Sequence, residues 1–305
     1  MPQIATVVIT YNRLALLKEC IRSIQQQTLS PDVLIVVNNG STDGTGAWLD
    51  AQPGMEVVHQ ANVGGAGGFD TGIRVAYDKG ADYIWVMDDD VEARPDCLEQ
   101  LMKVFNAPGA DYDVLQTDRF YDAEQNQRWR YGTAFNFSNP FKPMGVGKGI
   151  SATDAPEAAV LPIVAFPFEG PIFKRTVIEK IGWVERDFFI IHDDTDYSVR
   201  VIQSGFKVGV VPGAVLWKKV FPPTGSGLKA DFKLYYIIRN NILMDRKYGG
   251  NTFAFIRNTR SSLRCAMVFL KQVVLDRKTQ DTKAFGMIAR GFVDGFKWKN
   301  KNFIR

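Results

Sequence analysis

Three adjacent carboxylates, Asp88, Asp89 and Asp90, follow an apolar run that begins at Tyr83. The pattern predicts a buried strand that carries the acids to its carboxyl-terminal end. Adjacent carboxylates repel one another, so cations, hydrogen-bond donors or water must compensate their charge. Mg²⁺ and Mn²⁺ prefer oxygen ligands and leave coordination positions open for phosphate groups. The triplet is therefore either a metal site that holds a diphosphate or a solvated acidic turn.

A second acidic cluster, Asp193, Asp194 and Asp196, opens a predicted helix directly after His192. Acids stabilise a helix N-terminus through the helix dipole, so capping explains one or two of them. Displacement of a leaving group by a hydroxyl needs a general base on the opposite face and a cation that stabilises a departing diphosphate. Two separated acidic clusters meet these two needs.

The elements that must position these acids are predicted to alternate between strands and helices. The apolar runs Ile4 to Ile9 and Val33 to Val37 are each followed by a polar loop and then by a helical pattern. In the helix predicted from Leu14 to Gln27, apolar residues recur at spacings of three and four. This alternation is typical of a parallel α/β sheet, in which ligands bind beyond the carboxyl ends of the strands.

Four glycines lie within the five residues Gly64 to Gly68. Their spacing matches neither the phosphate-binding loop that ends in Gly-Lys-Ser nor the dinucleotide fingerprint. A glycine-rich loop allows close approach of the backbone to a ligand and presents amide donors at a helix start, here predicted at about Thr71. The alternative is a tight turn without a ligand.

Composition and cysteine usage narrow the class of protein. The 305 residues are 46% hydrophobic and 23% charged, which is typical of a globular protein with a sizeable core. Three widely spaced cysteines argue against a disulfide scaffold and favour a reducing compartment. No signal-peptide pattern or bilayer-spanning apolar run is recognised, so a cytoplasmic location is expected.

The charge is distributed unevenly along the chain. Residues 1 to 224 carry a net charge of −8, whereas residues 225 to 305 carry +12. The helices predicted at about 253 to 275 and 283 to 298 are rich in Lys and Arg, and the tail from Phe296 interleaves aromatics with cations. This pattern fits an anionic membrane surface. A solvated basic face or a homo-oligomer contact is the alternative, and no motif supports nucleic-acid binding.

Four motifs occur in the order found in inverting family 2 glycosyltransferases of the GT-A fold, which the chain resembles over residues 4 to 220. They are Thr10 to Arg13, Asn39 to Thr45, Asn62 to Gly65 and Asp88 to Asp90. The resemblance implies a Rossmann-like, mostly parallel sheet flanked by helices over residues 1–225, followed by a helical, basic region over 226–305. It also implies Mn²⁺ or Mg²⁺ as the cofactor.

The resemblance further implies roles for individual residues. Asp194 would be the catalytic base, with Asp193 and Asp196 orienting the acceptor or anchoring the loop. His192 would either contact the acceptor or be a structural histidine. Asp88 and Asp90 would bind the metal, with Asp89 in support. The residues implied to contact the nucleotide are Thr10, Tyr11, Arg13, Asn38, Asn39, Asn62, Gly68 and Asp88.

Two positions depart from the family pattern. Asn38 stands where the family often has Asp, so the identity of the base is less constrained. Lys218 stands where many members have a metal-binding His. We expect the Lys218 ammonium to take over part of the neutralisation of the diphosphate.

Donor and acceptor are implied by resemblance alone. The Asp-Asp-x-Asp form and the glycine-rich segment are most similar to bacterial galactofuranosyltransferases, with rhamnosyltransferases close behind. UDP-galactofuranose is therefore the first expected donor and dTDP-rhamnose the second. The expected acceptor is a cell-surface glycan or lipid-linked oligosaccharide at the inner face of the cell membrane. The rival is a non-catalytic nucleotide-sugar-binding homologue, against which both intact acidic clusters argue.

Two further segments carry predictions. The aromatics Trp129, Tyr131, Phe135 and Phe137 are predicted either to shape acceptor binding or to form an ordinary secondary core. The connector from Phe221 to Gly227 is predicted to order over the bound donor.

Overall fold

The computed structural model describes residues 2–121, 127–145, 149–155, 158–220, 229, 231–274 and 282–298. Backbone contacts divide the chain into two compact units. The first unit comprises Met1–Ala134, Gly147–Phe189 and Asp193–Phe221, and the second comprises Phe135–Val146, Ile190–His192 and Pro222–Arg305. The second unit thus includes two short segments from within the first 225 residues. The sequence had predicted that these segments belong to the domain over residues 1–225.

The first unit contains one mixed sheet with helices on both faces. Its strands in chain order are β1 Ile4–Thr10, β2 Val33–Asn38, β3 Glu56–His59, β4 Tyr83–Asp88, β5 Val91–Ala93, β6 Val114–Phe120, β7 Leu161–Pro162, β8 Ile172–Lys174 and β9 Val208–Lys218. Its helices are α1 Leu14–Gln25, α2 Thr45–Asp50, α3 Gly64–Asp78, α4 Cys97–Phe105, α5 Arg175–Ile181 and α6 Asp193–Gln203. Short 3₁₀ helices span Ala152–Asp154 and Arg186–Phe188.

The strand order across the sheet is β3-β2-β1-β4-β8-β6-β9-β5, and β7 pairs with β9. Strands β3, β2, β1 and β4 are mutually parallel, whereas β8 runs antiparallel to both β4 and β6. In register, Ile9 lies opposite Asp88 and Thr10 lies opposite Asn38. The polar loops that follow β1 and β2 therefore meet the acids after β4 at one sheet edge, as the strand-loop pattern predicted.

Alternating residues of β1 face two hydrophobic layers. Val7 packs in the layer that includes Ile73 of α3, and Val8 packs in the layer that includes Leu17 and Ile21 of α1. Both faces of the strand are covered by helices, so its residues form a continuous apolar run. The buried face that the spacing predicted for α1 is thereby confirmed.

Helix α3 begins at Gly64, seven residues before the predicted start at Thr71. The glycine-rich segment is thus the first part of a helix and not a separate loop. Close packing explains why glycines, which are poor helix formers, are used here. A Cβ atom at Gly72 would lie 2.3 Å from Val7 Cγ1, and one at Gly68 would lie 3.3 Å from Ile9 Cγ2. The glycines allow α3 to lie directly on β1.

The second unit contains α7 Phe232–Gly249, α8 Asn251–Val274 and α9 Lys283–Lys297. Their shared core is formed by Leu234, Ile238, Ile242, Cys265, Phe269, Ala284 and Ile288. A Cβ atom at Gly291 of α9 would lie 2.8 Å from the Tyr235 carbonyl oxygen of α7, so glycine permits close helix contact. Within the residues that the structure describes, no helix has the length and apolar composition needed to cross a bilayer.

We expect Gly64→Ala to destabilise the first unit strongly. Gly64 has φ +76°, and a Cβ atom there would lie 2.0 Å from the Phe189 carbonyl oxygen. Backbone strain at position 64 and displacement of Phe189 should both lower the thermal unfolding midpoint. The displacement should add on the order of 5 °C to the decrease that backbone strain alone causes. The midpoint is measured by circular dichroism.

The matched control is Gly54→Ala. Gly54 has φ +78°, but a Cβ atom added there would have nothing within 4 Å. Equal midpoints for the two variants would show that contact with Phe189 has no energetic weight.

Candidate active site

The carboxylates of Asp89 and Asp90, which follow β4, are held by donors from other elements. Thr10 Oγ1 donates to Asp89 Oδ2 at 2.7 Å. One guanidinium nitrogen of Arg13 lies 3.2 Å from Asp89 Oδ1 and 3.1 Å from Asp90 Oδ2. Asp89 and Asp90 are both 3% exposed, so a solvated acidic turn does not describe this site.

Lys218, the last residue of β9, supplies the second cation. Its Nζ lies 2.9 Å from Asp90 Oδ1, 2.6 Å from Glu169 Oε1 and 3.9 Å from Asp88 Oδ2. The pairing of β9 with β5 brings Lys218 opposite Val91, immediately after the acidic triplet. A single ammonium therefore compensates three carboxylates from two segments of the chain.

Glu169 is a site residue that sequence reasoning missed. Besides Lys218, its carboxylate pairs with the Arg119 guanidinium. The following residue, Gly170, has φ +94°, and a Cβ atom there would lie 2.3 Å from Thr117 Oγ1. This close approach to β6 requires glycine and fixes the position of the preceding acid. The sequence signal that marks Glu169 is an isolated acid in an apolar stretch.

Arg119 connects the two acidic clusters electrostatically. Its guanidinium is buried and lies 4.0 Å from the centroid of the Trp129 ring. Burial lowers the pKa of Arg119, whereas Tyr131 and Tyr121, and after them Asp194 and Asp88, act in the opposite direction. Acids from both predicted clusters therefore act on one guanidinium, which β6 carries and which pairs with Glu169.

The second cluster occupies the first turn of α6, where its three acids have different environments. Asp196 is fully buried and accepts a 2.8 Å bond from Arg200 Nε, so it has a structural ion pair. Asp194 is only partly buried, and its Oδ1 accepts from Thr195 N at 2.6 Å and Thr195 Oγ1 at 3.1 Å. Burial, and then repulsion by Asp194, raise the pKa of Asp193 to about 8.

Strained backbone precedes α6. Phe189, Ile191 and His192 have φ values of 63°, 69° and 72°, which non-glycine residues rarely adopt. Within the second unit, Asn240 Nδ2 donates to the carbonyl oxygens of Ile190 and Ile191 at 2.7 and 2.8 Å.

His192 belongs to the same segment. Its Nε2 lies 3.1 Å from Asn241 Oδ1. This contact is consistent with a structural histidine, although contact with an acceptor remains a prediction.

The asparagines predicted to contact the nucleotide base hold the loops together. Asn38 Nδ2 lies 3.0 Å from His59 Nδ1, and Asn38 Oδ1 accepts from Ser41 N at 3.0 Å. Asn39 Nδ2 donates to Gly64 O at 3.0 Å. His59 is a second residue that sequence reasoning missed, because its contact with Asn38 joins neighbouring strands.

The other residues predicted to contact the nucleotide lie on the same loops or on α3. Asn62 Oδ1 accepts from the backbone N–H of Gly64, the first residue of α3, at 2.9 Å. Tyr11 is 47% exposed, which leaves its ring available, whereas Gly68 is buried against Ile9.

The fit of a divalent cation rests on Asp88 and Asp90. Among the described residues, no group of three or more His, Cys, Asp or Glu side chains has an arrangement that could hold a metal. Asp89 is engaged by Thr10 and Arg13, and both oxygens of Asp90 are engaged as well, Oδ1 by Lys218 and Oδ2 by Arg13. Asp88 and Asp90 carry the oxygen ligands that a divalent cation prefers, and a cation bound there would replace the Lys218 or Arg13 contact of Asp90.

The pKa of Asp88 reflects its burial and the charged groups around it. Burial raises its pKa to about 7, although 32% of its side-chain surface remains accessible. Lys218 acts in the opposite direction, and Asp90 adds to the increase. An added cation would stabilise the ionised form.

The described residues bear on the prediction for the aromatic segment but not on the prediction for the connector. Tyr131 is fully buried, its hydroxyl donates to Thr117 O at 2.5 Å, and it packs in the hydrophobic layer of the sheet that includes Val7 and Ile73. The connector Phe221 to Gly227 and the tail beyond Trp298 lie outside the described residues.

Comparison with known proteins identifies related sequences. The model of the family described as "Glycosyl transferase family 2" matches residues 6–166, which is more than half of the chain. The galactofuranosyltransferase GlfT1 of Mycolicibacterium smegmatis is 26% identical over 213 residues, covering 68% of this chain and 67% of the relative. GlfT1 of Mycobacterium tuberculosis is 28% identical over 210 residues, covering 67% and 66%. The chain thus spans about two thirds of these relatives.

A solved structure supports the architecture. The mannosyltransferase PcManGT from Pyrobaculum calidifontis, in complex with GDP-Man and Mn²⁺, has a TM-score of 0.53 and 16% identity. The comparison covers 97% of this chain and 87% of that one. At this identity the likeness shows the fold, and the predicted α/β architecture of the GT-A type is confirmed.

We expect Asp193 to make the stability of the protein depend on pH. Its folded-state pKa of about 8 lies above the ordinary value of 3.8, so the folded state binds the extra proton. Stability should therefore fall as pH rises from about 4 to about 8. Asp193→Asn should reduce the fall in thermal midpoint between pH 5 and pH 9 by on the order of 5 °C.

The control is Asp96→Asn, because a hydrogen bond from Arg94 holds the pKa of Asp96 below its ordinary value. Its carboxylate stays ionised over this range, and the pH slope should be unchanged. An unchanged slope in Asp193→Asn would refute the assignment.

Proposed function

Because the chain belongs to glycosyl transferase family 2, as its four motifs predicted, we propose that it transfers a hexose from a nucleotide sugar to a glycan hydroxyl with inversion. One observation carries the proposal. Glu169 pairs with both Arg119 and Lys218, and Lys218 lies 2.9 Å from Asp90 and 3.9 Å from Asp88. The acids after β4 and the Arg119 guanidinium therefore belong to one charged cluster, and Asp194 also acts on the pKa of Arg119. An inverting displacement requires a leaving-group site and a base site close together.

Asp194 is proposed as the general base. A base must be ionised before it accepts the proton of the acceptor hydroxyl. The raised pKa of Asp193 favours retention of a proton on that buried carboxyl, and Asp194, the more accessible acid of the pair, is proposed to carry the negative charge. The two hydrogen bonds from Thr195 stabilise that charge and fix the carboxylate. Asp193 and Asp196 are proposed to support this arrangement.

The donor nucleotide is proposed to bind at the loops after β1, β2 and β4. Exposed Tyr11 offers a ring for stacking, and Arg13 offers a cation next to Asp89 and Asp90. The hydrogen-bonded amides of Asn38 and Asn39 would shape the base pocket. The predicted role of Asn38 is direct contact with the base. The full proposed set is Thr10, Tyr11, Arg13, Asn38, Asn39, Asn62, Gly68 and Asp88.

Asp88 and Asp90 would hold Mn²⁺ or Mg²⁺, and such a cation supplies positive charge to the departing diphosphate. Lys218 is proposed to share this neutralisation. Its ammonium already lies between Asp90 and Glu169, so this positive charge is present without a bound metal ion. The dependence of activity on the metal should then be shallower than in family members that have His at this position.

UDP-galactofuranose is the proposed donor, because the two GlfT1 relatives described above are named galactofuranosyltransferases. dTDP-rhamnose is the alternative donor, and a non-catalytic nucleotide-sugar-binding protein is the alternative function. The proposed acceptor is a cell-envelope glycan or lipid-linked oligosaccharide, which would place the protein at the inner face of the cell membrane.

Asp194→Asn is expected to lower kcat for sugar transfer by about 10²–10⁴-fold, since the amide cannot accept the proton. Donor affinity should remain nearly unchanged because the nucleotide is held at other loops. Turnover of UDP-galactofuranose and dTDP-rhamnose is measured in parallel with calorimetric binding of UDP, dTDP, GDP and CDP, each with and without Mn²⁺.

Asp78→Asn, an exposed change at the end of α3, is the control and should retain wild-type turnover. Near-normal turnover in Asp194→Asn would remove this residue from the base role. Preferential binding of dTDP would favour rhamnosyl transfer, and absence of binding to all four nucleotides would favour the non-catalytic alternative.

Lys218→His is expected to make turnover depend more steeply on Mn²⁺. The change removes the fixed ammonium and adds an imidazole ligand beside Asp90. Initial rates are measured across a Mn²⁺ titration, with the metal-free rate as the baseline. The variant's metal-free rate should fall relative to wild type while its rate at saturating Mn²⁺ recovers.

Lys219→Gln provides the matched control. Lys219 is the neighbouring lysine, but it pairs with Glu92 and Glu19 and not with the acidic triplet. If Lys218→His and Lys219→Gln have the same Mn²⁺ profile, Lys218 has no special part in neutralising the diphosphate.

A further inference from the structure

Helix α8 exposes an apolar stripe that is continuous from Leu263 to Val274, with Ile256 two turns before it. Five residues at spacings of seven, four, three and four fall on one face of the helix. They are Ile256, Leu263, Met267, Leu270 and Val274, with exposed fractions of 36%, 60%, 61%, 53% and 62%. The opposite face carries Cys265 and Phe269 into the core of the second unit. The stripe therefore lies on the surface for about 27 Å at 1.5 Å per residue.

Cations line one edge of this stripe. Arg260, Arg264 and Lys271 each lie one helical turn from a member of the stripe, and Arg264 and Lys271 are exposed. Helix α8 contains these three cations and Arg257 but no Asp or Glu. A surface that combines apolar side chains with cations alone is complementary to an apolar layer bounded by negative charge.

We propose that this face of α8 is the docking surface for an anionic lipid bilayer. The apolar stripe enters the boundary between headgroups and acyl chains, while Arg264 and Lys271 contact lipid phosphates. The inference deepens the proposed function and rests on it for its biological purpose, because a lipid-linked acceptor would be found at such a surface. It also assigns membrane binding to one face of one helix, whereas the sequence indicated it only for the whole basic region.

Charge argues against a second copy of the chain as the occupant. Self-association of α8 along the stripe would bring Arg260, Arg264 and Lys271 of each helix close to the same cations of the other. No acid on α8 is present to compensate them. A bilayer that contains anionic lipid supplies the missing negative charge.

The test is flotation of the full chain with vesicles, without nucleotide or acceptor. One vesicle type is phosphatidylcholine alone, and the other contains equal parts of phosphatidylcholine and phosphatidylglycerol. The wild-type chain should float with the anionic vesicles, and added salt should weaken its binding. The variant Leu263→Gln/Met267→Gln/Leu270→Gln should lower the bound fraction about ten-fold.

A matched pair of double variants tests the contribution of positive charge to vesicle binding. Arg264→Gln/Lys271→Gln should weaken binding to anionic vesicles, whereas Arg22→Gln/Lys103→Gln removes the same charge from exposed positions on α1 and α4 and should not. Because all of these side chains are exposed, the variants should keep the wild-type thermal midpoint.

Three outcomes would overturn the proposal. They are absence of wild-type binding to both vesicles, equal binding by wild type and the triple variant, and a wild-type dimer in sedimentation velocity that the triple variant converts to monomer without any vesicle binding. Calorimetric UDP binding is measured on the same samples. Absence of UDP binding by the wild type would count against the proposed UDP-sugar donor, independently of the vesicle result.

Discussion

Compensation of negative charge at the carboxyl end of β4 is the constraint on which the first unit depends. Asp89 and Asp90 are almost completely buried, and a buried carboxylate without a partner costs several kcal/mol. Their partners come from distant parts of the chain, with Arg13 before α1 and Lys218 at the end of β9. The segments that carry these partners must therefore be assembled around β4 for the acids to be paired, which couples formation of the site to formation of the fold.

Close backbone contact gives the same region its geometry. Gly72 allows α3 to lie against Val7, and Gly64 allows the start of α3 to contact the carbonyl of Phe189. Phe189 also accepts a hydrogen bond from Ala66 N at 3.1 Å. Its left-handed backbone is thus held by contacts on α3, which is the condition under which strained residues persist near functional sites.

A fixed ammonium and an exchangeable cation differ in what they offer a diphosphate. A lysine contributes one positive charge at a position set by Asp90 and Glu169, whereas a divalent ion contributes two charges and open coordination positions. Glu169 links Lys218 to Arg119, so the charges near both acidic clusters form one connected set. A change in charge at either cluster should therefore be felt at the other.

Local pattern in the sequence determined the strand-loop-helix order, the buried face of α1, the acids at the end of β4 and the basic character of the C-terminal region. Each follows from periodicity or composition over neighbouring residues. Only the tertiary structure decided that Lys218 meets Glu169, that Asn38 meets His59, and that the glycine-rich segment is helical. These outcomes depend on pairing between segments far apart in the chain, such as Glu169 and Lys218, whose positions differ by 49. Periodicity indicates which face of an element is buried, but the partner of a buried charge is set by strand register and packing in three dimensions.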